Sequence, residues 1–307
     1  MEQQIKDNIK EALKAYRKDN VLSQDDIASK AGVNVSYINA IENGNTHIGK
    51  TAIKDSYYKK VAKAINYQYE RLFWRHVDTP QYLQLYAELM DAKVSGRVRV
   101  LIGKTRHGKT YTVDRFTKKV PKDTYRITVS SLYRLKDIVN ELCELLNLDT
   151  TGSYVARLKR ISKTLNDKKM KGSKPDIIID EAENMTIPVL RMSKALYDAV
   201  KDSCSLTFVG TPQFKKKLEA LRDKDIEGMP QFYCRLKAGI REIKDIDNQN
   251  DFEPFFELVE DEGLKVLLTN LADNYGELND YLEYALQEAN RMGVPLTEKL
   301  FKSLFNL

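Results

Sequence analysis

The pattern of apolar residues over the first 45 positions predicts three short helices. Apolar side chains at helical spacing mark the first helix: Ile5, Ile9, Leu13 and Tyr16. The second is predicted over 24–31, between Ser23 as N-cap and Gly32 as a left-handed C-cap. The third is predicted over 35–42. Two short helices joined by a glycine-containing turn form a helix-turn-helix, so the pattern predicts a small all-α domain of this kind.

The period of the pattern changes at residue 97, where short apolar stretches begin to alternate with helical ones. Five strands are predicted, at 97–102, 125–129, 176–179, 206–209 and 240–243. This alternation is typical of an α/β fold, a parallel sheet with helices on both faces. Helical patterns return after about residue 246 and include 255–258. We therefore predict a helix-turn-helix domain with a connecting helix at 1–66, an α/β core at 67–245 and a helical part at 246–307.

The composition is that of a globular protein with a charged surface, with 42% hydrophobic and 31% charged residues among 307. The sequence has no apolar run long enough to predict a membrane span, and its N-terminus does not resemble a signal peptide. Cys143, Cys204 and Cys234 have no spacing that suggests a zinc site or a disulfide framework. The three histidines suggest no metal cluster either. These features predict a cytoplasmic location and no membrane partner.

Charge is strongly segregated along the chain. Residues 104–136 hold ten Lys and Arg against two acids, and residues 157–174 hold eight against one. Residues 245–283 reverse the balance, with twelve acids against one lysine. The simplest interpretation is a polyanion partner at the middle of the chain; the alternative is that the basic runs are solvated helix faces.

Residues 103–110 carry the clearest chemical motif, G-x-x-x-x-G-K-[ST], between a predicted strand and a predicted helix. Backbone N–H groups of such a loop and the positive end of the helix dipole bind phosphates. The predicted nucleotide-binding residues are Gly103, Lys104, Thr105, Arg106, His107, Gly108, Lys109, Thr110 and Tyr111. Lys109 is expected to reach the β and γ phosphates, and the Thr110 hydroxyl to bind Mg²⁺. The motif therefore predicts ATP and Mg²⁺ as cofactors.

A second motif supports the first. The predicted strand at 176–179 is followed by two carboxylates, Asp180 and Glu181. At the end of a buried strand near the phosphates, Asp180 is expected to hold Mg²⁺ through water. Glu181 is expected to activate the attacking water as general base. The alternative is that both carboxylates only cap the next helix.

A family resemblance combines these features. Domain order and the segments GKTRHGKT, DIIIDEAEN, LTFVGT and QFYCRLKAGIREI are similar to those of the AAA+ ATPases of transposition, the Mu B, TnsC and IstB type. The resemblance implies an AAA+ P-loop core with a C-terminal helical lid. It assigns to Thr211 the role of a sensor of the γ-phosphate. It also assigns to Arg235, or to Arg241 as second candidate, the arginine that completes a neighbouring subunit's site; a plain surface charge is the alternative.

The resemblance also implies a function. Such proteins form ATP-dependent homo-oligomers, rings or helical filaments, on double-stranded DNA with little sequence preference. They activate a DDE transposase for target selection, and they are encoded by bacteria, phages or mobile elements. Two alternatives are a helix-turn-helix transcription regulator whose ATPase controls oligomerisation, and a helicase loader of the IstB and DnaC type. Two departures stand out: Lys104–His107 replaces the usual Asn-Pro-Gly-x, and Asn279 stands where a second sensor arginine is expected.

The same reasoning names candidate DNA contacts. The helix-turn-helix resembles that of phage repressors, which implies that the third helix faces the major groove with Asn34, Ser36, Tyr37 and Asn39. Candidate phosphate contacts in the basic runs are Lys118, Lys119, Arg134, Lys136, Arg157 and Arg160. The last four are favoured, because two follow the second strand and two share a helix face. Lys168, Lys169 and Lys171 are predicted to lie in a solvated loop.

Overall fold

The computed structural model describes residues 3–49, 51–65, 67 and 74–307. The chain forms two units, residues 1–75 and 76–307. The boundary predicted between residues 66 and 67 touches residue 66, which lies outside the described residues.

The first unit is built from four helices: α1 (Gln3–Asn20), α2 (Gln24–Ala31), α3 (Val35–Glu42) and α4 (Asp55–Ala64). The side chain of Ser23 caps α2, and Gly32 ends it with φ +61°, so the predicted turn of the helix-turn-helix is confirmed. The core of this unit is formed by fully buried aliphatic side chains, among them Ile9, Leu13, Ile27, Ile38 and Val61.

The first unit also holds an antiparallel hairpin that the sequence pattern did not predict. Its strands are β1 (His47–Ile48) and β2 (Thr51–Ala52). Each strand has only two residues, which is too short to show the period of two by which strands are recognised.

The second unit is built around a five-stranded parallel sheet, and all five predicted strands are confirmed. They are β3 (Val98–Ile102), β4 (Thr124–Thr128), β5 (Asp176–Asp180), β6 (Ser205–Gly210) and β7 (Ile240–Glu242). Their order across the sheet is β4-β5-β6-β3-β7. Because all pairings are parallel, the carboxyl ends of the strands meet at one edge. The loop after β3, the end of β5 and the residue after β6 therefore share that edge.

Helices cover both faces of this sheet. They are α5 (Pro80–Ser95), α6 (Lys109–Lys119), α7 (Leu135–Leu145), α8 (Tyr154–Met170), α9 (Ile187–Val200), α10 (Pro212–Asp223) and α11 (Met229–Lys237). One face packs Leu101 and Ile178 against α5 and α6. The other face packs Val100 and Ile177 in the larger cluster that includes side chains of α7 to α11. Successive strand residues point to opposite faces, so both sets are apolar, as a sheet buried on two sides requires.

The C-terminal part is helical. It contains α12 (Asn248–Asp251), α13 (Glu262–Leu271), α14 (Tyr275–Met292) and α15 (Glu298–Phe305). The predicted helix at 255–258 was wrong, since a short 3₁₀ helix over Glu253–Phe255 ends there in a turn. Among the described residues, no helix is long and apolar enough to cross a membrane.

Candidate active site

The loop between β3 and α6 wraps around a buried lysine. Lys109, the first residue of α6, donates a hydrogen bond of 2.8 Å from Nζ to the carbonyl oxygen of Lys104. Gly108 has φ +78°, a left-handed conformation that glycine adopts without strain. Burial lowers the pKa of Lys109, and the nearby carboxylates of Glu183, Glu181 and Asp180 offset part of that shift. The loop thus holds a cation among carboxylates at the carboxyl edge of the sheet.

Thr110 and Glu181 lie together, as the two motifs predict. The Thr110 hydroxyl donates to Oε1 of Glu181 at 3.2 Å. Glu181 has φ +55°, a conformation that is costly for a residue with a side chain and that is concentrated at functional sites. Burial raises the pKa of Glu181, and the charges of Glu183 and Asp180 raise it further. A carboxylate with a raised pKa is a better proton acceptor near neutral pH.

Asp180 is fully buried and already has partners for both carboxylate oxygens. Oδ2 accepts a hydrogen bond of 2.8 Å from the Arg126 guanidinium, and Oδ1 accepts one of 3.0 Å from the N–H of Glu181. Arg126 lies on β4 and also approaches Asp114 of α6 at 3.5 Å. Sequence reasoning missed Arg126. The sequence signal that could have identified it is a charged residue in the middle of an otherwise apolar predicted strand.

We expect Arg126→Met to lower the free energy of unfolding by about 3 kcal/mol, because it leaves a buried carboxylate without its counter-ion. The Asp180 side chain is only 1% exposed and that of Arg126 only 20%, so solvent cannot replace the pair. Asp114→Asn is the matched control, since its side chain is 43% exposed and exposed pairs contribute about 0–1 kcal/mol. Urea denaturation of both variants measures the difference. Equal losses of unfolding free energy in the two variants would contradict the assignment of Arg126 as the counter-ion of the buried Asp180 carboxylate.

Thr211 follows β6 and is held by a second residue that sequence reasoning missed. Its N–H donates to Oε2 of Glu183 at 3.2 Å. The Thr211 hydroxyl is buried and has no hydrogen-bond partner among the described residues. Lys217 donates to the carbonyl oxygens of Glu183 and Met185, which fixes the 3₁₀ helix that carries Glu183. A buried hydroxyl without a partner, next to the lysine and carboxylates, is available for a ligand.

Arg106 connects the loop to the C-terminal helices. It has φ +60°, and its guanidinium forms an ion pair with Asp280 of α14. It also lies against Gly276, where an added Cβ would clash with Nε of Arg106. Asn279, at the expected second-sensor position, has a buried Oδ1 without a partner among the described residues. The cation that links loop and lid therefore comes from the loop.

The other predicted nucleotide-binding residues lie in different surroundings. Lys104 pairs with Asp245 at 2.8 Å, and Thr105 is exposed. His107 is buried, and burial, followed by the charges of Lys109 and Lys104, lowers its pKa. The hydroxyl of Tyr111 lies 3.0 Å from Nδ1 of His76. The Tyr111 ring is 44% exposed beside the loop.

Arg235, in the last turn of α11, and Arg241, on β7, direct their side chains toward the opposite edge of the sheet, where the strands begin. Both line a cavity together with Gly96 and Val98. Arg235 pairs with Asp198 at 2.5 Å, and Arg241 donates to the carbonyl oxygens of Ala238 and Ile240. In the sheet register Arg241 is paired with Leu101 near the carboxyl end of β3, but its guanidinium folds back to the carbonyl oxygens that precede and begin β7. Neither arginine reaches the site of its own chain.

The residues of α3 and its N-cap that were predicted to contact bases differ in whether other groups of the first unit engage their side chains. Asn34 is the N-cap, and its Oδ1 accepts from the N–H of Ser36. Tyr37 stacks on Tyr57 with ring centroids 3.9 Å apart, so it packs within the first unit. Ser36 and Asn39 are exposed, and Oδ1 of Asn39 accepts from Asn43.

The candidate phosphate contacts also differ: some of their side chains are exposed, and others have partners within the chain. Arg134 and Lys136 are exposed at the start of α7, and Lys118 pairs with Asp114 at 2.6 Å. Lys119 lies over the rings of Tyr82 and Tyr86.

Arg157 and Arg160 are engaged within the chain. Arg157 donates to Asn140, and Arg160 donates to the carbonyl oxygens of Asp149 and Thr151.

The predicted solvated loop at Lys168 and Lys169 was wrong, since both lie in the last turn of α8. Lys168 pairs with Asp123 at 2.7 Å, because the helix continues to the edge of the sheet where the strands begin. Lys169 donates to the carbonyl oxygen of Asp202 at the same edge.

Comparisons with known proteins agree with this architecture. Residues 92–218 match the family described as AAA domain, and residues 13–72 match the family described as helix-turn-helix. The chain is 24% identical over 266 residues to the Mu-like prophage FluMu DNA transposition protein B of Haemophilus influenzae. That match covers 83% of this chain and 88% of the relative.

Two solved structures have a similar fold. The Aeropyrum pernix ORC2 protein, solved as ADPNP–ADP complexes, has a TM-score of 0.54 and 15% identity and covers 76% of this chain and 70% of its own. Cdc6p from Pyrobaculum aerophilum has a TM-score of 0.53 and 14% identity over 74% of this chain and 66% of its own. The fold is that of an AAA+ ATPase with an N-terminal helix-turn-helix.

Proposed function

We propose that this AAA+ ATPase, which binds nucleotide and resembles the transposition protein B of Mu-like phages, loads onto target DNA for a transposase. In this proposal it binds double-stranded DNA with little sequence preference and assembles on it as a homo-oligomer, a ring or helical filament, when ATP is bound. The assembled form activates or directs a DDE transposase. Hydrolysis releases the subunits, so ATP acts as a switch between the two states.

The nucleotide chemistry follows from the site. The loop at 103–108 and the start of α6 would hold the phosphates, with the Lys109 ammonium directed to the β and γ groups. The oxygen donors of Thr110 and Asp180 suit Mg²⁺, a hard cation that prefers hydroxyl, carboxylate and water ligands. Bound there, Mg²⁺ would neutralise phosphate charge.

Hydrolysis would then depend on this chain's own side chains. Glu181 would take a proton from the attacking water, which its raised pKa favours. The unpartnered Thr211 hydroxyl would contact the γ-phosphate and report its loss through Glu183. Arg235, or Arg241, would complete the site of a neighbouring subunit, since both guanidinium groups are directed away from their own loop.

The observation that supports the transposition role most directly is the match to the phage relative over 88% of its length, together with the separate matches to an AAA domain and a helix-turn-helix. The site geometry supports ATP turnover in the same chain. Helix α3 carries no Lys or Arg, so in this proposal the cations for sequence-independent phosphate binding come from outside that helix.

The test is electron microscopy and footprinting of the full chain with random-sequence duplex DNA. With a non-hydrolysable ATP analogue we expect regular oligomers that coat any duplex, and with ADP we expect none. Protection confined to one operator would favour a transcription regulator instead. Binding to a helicase rather than a transposase would favour a loader.

A further inference from the structure

One side chain of the nucleotide-binding loop reaches the C-terminal helices. Arg106 lies in the middle of the loop at 103–108, and its guanidinium forms an ion pair with the carboxylate of Asp280 on α14. The two residues are 174 positions apart in the chain, so the contact depends on the fold. The loop that would hold the phosphates is thus joined to α14 by a cation.

Gly276 makes room for this contact. It lies in the first turn of α14, and an added Cβ there would approach Cζ and Cβ of Arg106 to 2.9 and 3.0 Å. Alanine at this position would therefore displace the arginine. Glycine inside a helix costs about 0.5–1 kcal/mol relative to alanine, and the helical backbone of Gly276 does not require it. The side chain that lies against Gly276 explains why a residue without a Cβ stands there.

The backbone of Arg106 also suggests a functional role. Its φ of +60° lies in the left-handed region, which costs a residue with a side chain about 1–3 kcal/mol. Glycine adopts this conformation without strain. Strained residues of this kind are concentrated at ligand-binding and switch sites, where the surrounding contacts hold them in place. The loop thus carries an arginine at a position where its backbone conformation favours glycine.

The guanidinium of Arg106 has donors left for a ligand. Arginine has five N–H donors in one plane, and within the described residues Asp280 is the only hydrogen-bond partner of this side chain. The side chain is 44% exposed, so a nucleotide can reach it. Arginine suits phosphate because its planar donors can bind two oxygens at once. Asp280 therefore occupies part of the guanidinium and leaves the rest available for phosphate.

The ion pair is too exposed to hold α14 in place by itself. Its two side chains are 44% and 55% exposed, and such pairs contribute about 0–1 kcal/mol. What the pair fixes is the orientation of the guanidinium. Neighbouring residues of α14 do not replace Asp280 in this role. Asn279 is neutral, and the carboxylate of Glu277 accepts hydrogen bonds from Asp273 and Asn274.

We propose that Arg106 binds the phosphates of the nucleotide and, through Asp280, transmits their presence to α14. This rests on the proposed function, because the ligand is the ATP that the loop would hold. Arg106 supplies from the loop the charge that Asn279 lacks at the expected second-sensor position. Asp280 is a positioning residue, since it contacts Arg106 and not the nucleotide. Phosphate oxygens hold one part of the guanidinium while Asp280 holds another, so bound ATP restrains α14 next to the loop.

The test measures backbone hydrogen exchange of α14 in the full chain, with and without a saturating non-hydrolysable ATP analogue. The variants are Arg106→Gln, Asp280→Asn and their combination. The matched controls are Arg291→Gln and Glu288→Gln, which break an arginine–carboxylate pair that lies entirely within α14. Titration gives the affinity of each variant for the analogue. Thermal melting reports folding, and the melting temperature should change by less than about 4 °C because the pair is exposed.

The analogue should slow exchange in α14 of the wild type at least about fivefold, the lower end of the usual coupling between two sites. Arg106→Gln should lose this slowing and bind the analogue about tenfold more weakly, since it loses a charged hydrogen bond. Asp280→Asn should lose the slowing as well. Because coupling is reciprocal, its affinity should fall by the factor of slowing that is lost. The double variant should bind no more weakly than Arg106→Gln, and both controls should behave as the wild type.

Three results would overturn this role of Arg106 and leave the proposed function intact. The first is a wild-type protein that binds the analogue without any slowing of exchange in α14. The second is full slowing in either single variant. The third is tighter binding by Asp280→Asn, which would make the ion pair a competitor of the nucleotide. A wild-type protein that does not bind the analogue at all would refute the proposed function itself, and this role with it.

Discussion

Replacing Lys109 with alanine will lower the affinity for ATP roughly 100-fold, and ATP-dependent DNA binding will be lost with it. Lys109 is the cation that the loop holds among three carboxylates, and it is 7% exposed. A hydrogen bond to a charged group contributes about 1.5–3 kcal/mol, and the ammonium would contact two phosphates. Without it, the carboxylates of Asp180, Glu181 and Glu183 would repel the phosphate chain.

Lys104→Ala is the matched control for this change. Lys104 is in the same loop, but its side chain is 60% exposed and pairs with Asp245, and only its carbonyl oxygen contacts Lys109. We expect Lys104→Ala to bind ATP with near wild-type affinity, as measured by titration with a fluorescent nucleotide. Lys109→Met keeps the aliphatic packing against Gly103 and guards against a folding defect. Tight ATP binding by a folded Lys109→Met variant would contradict the assignment of Lys109 as the cation that binds the phosphates.

The sheet and the loop could be predicted because their signals are local. Each core strand is a short apolar run between helical patterns, and the glycine, lysine and threonine of the loop stand in one segment of eight residues. Capping by Ser23 and the left-handed Gly32 are also decided by near neighbours, so α2 was predicted to the residue.

The partners of the site residues could not be predicted, because topology brings them together. Arg126 and Asp180 are 54 residues apart and meet only because β4 and β5 are neighbours in the sheet. The distance in sequence between Arg106 and Asp280 is 174 residues. Spacing placed Arg157 and Arg160 on one helix face, but it cannot show that other parts of the chain occupy both guanidinium groups.

Glu181→Gln will bind ATP with nearly wild-type affinity and hydrolyse it roughly 10²–10⁴-fold more slowly, the usual contribution of a general base. The glutamine keeps an oxygen that accepts the hydrogen bond from Thr110, so the geometry of the site is retained. What is lost is the ability to take a proton from water. Complexes on DNA should therefore form normally and persist longer, as measured by dissociation after dilution with excess competitor duplex.

Glu183→Gln distinguishes the two neighbouring carboxylates. Its amide oxygen can still accept from the N–H of Thr211, so a positioning role should cost less than about tenfold in turnover, below the contribution of a general base.

A second readout is the pH profile of kcat. Glu181 must be deprotonated to act, and its raised pKa places the acidic loss of activity at a higher pH than an ordinary glutamate would give. In Glu181→Gln the residual rate should lose this acidic limb, whereas Glu183→Gln should keep it. If Glu183→Gln instead removes the limb and most of the rate, Glu183 is the base and Glu181 only orders Thr110.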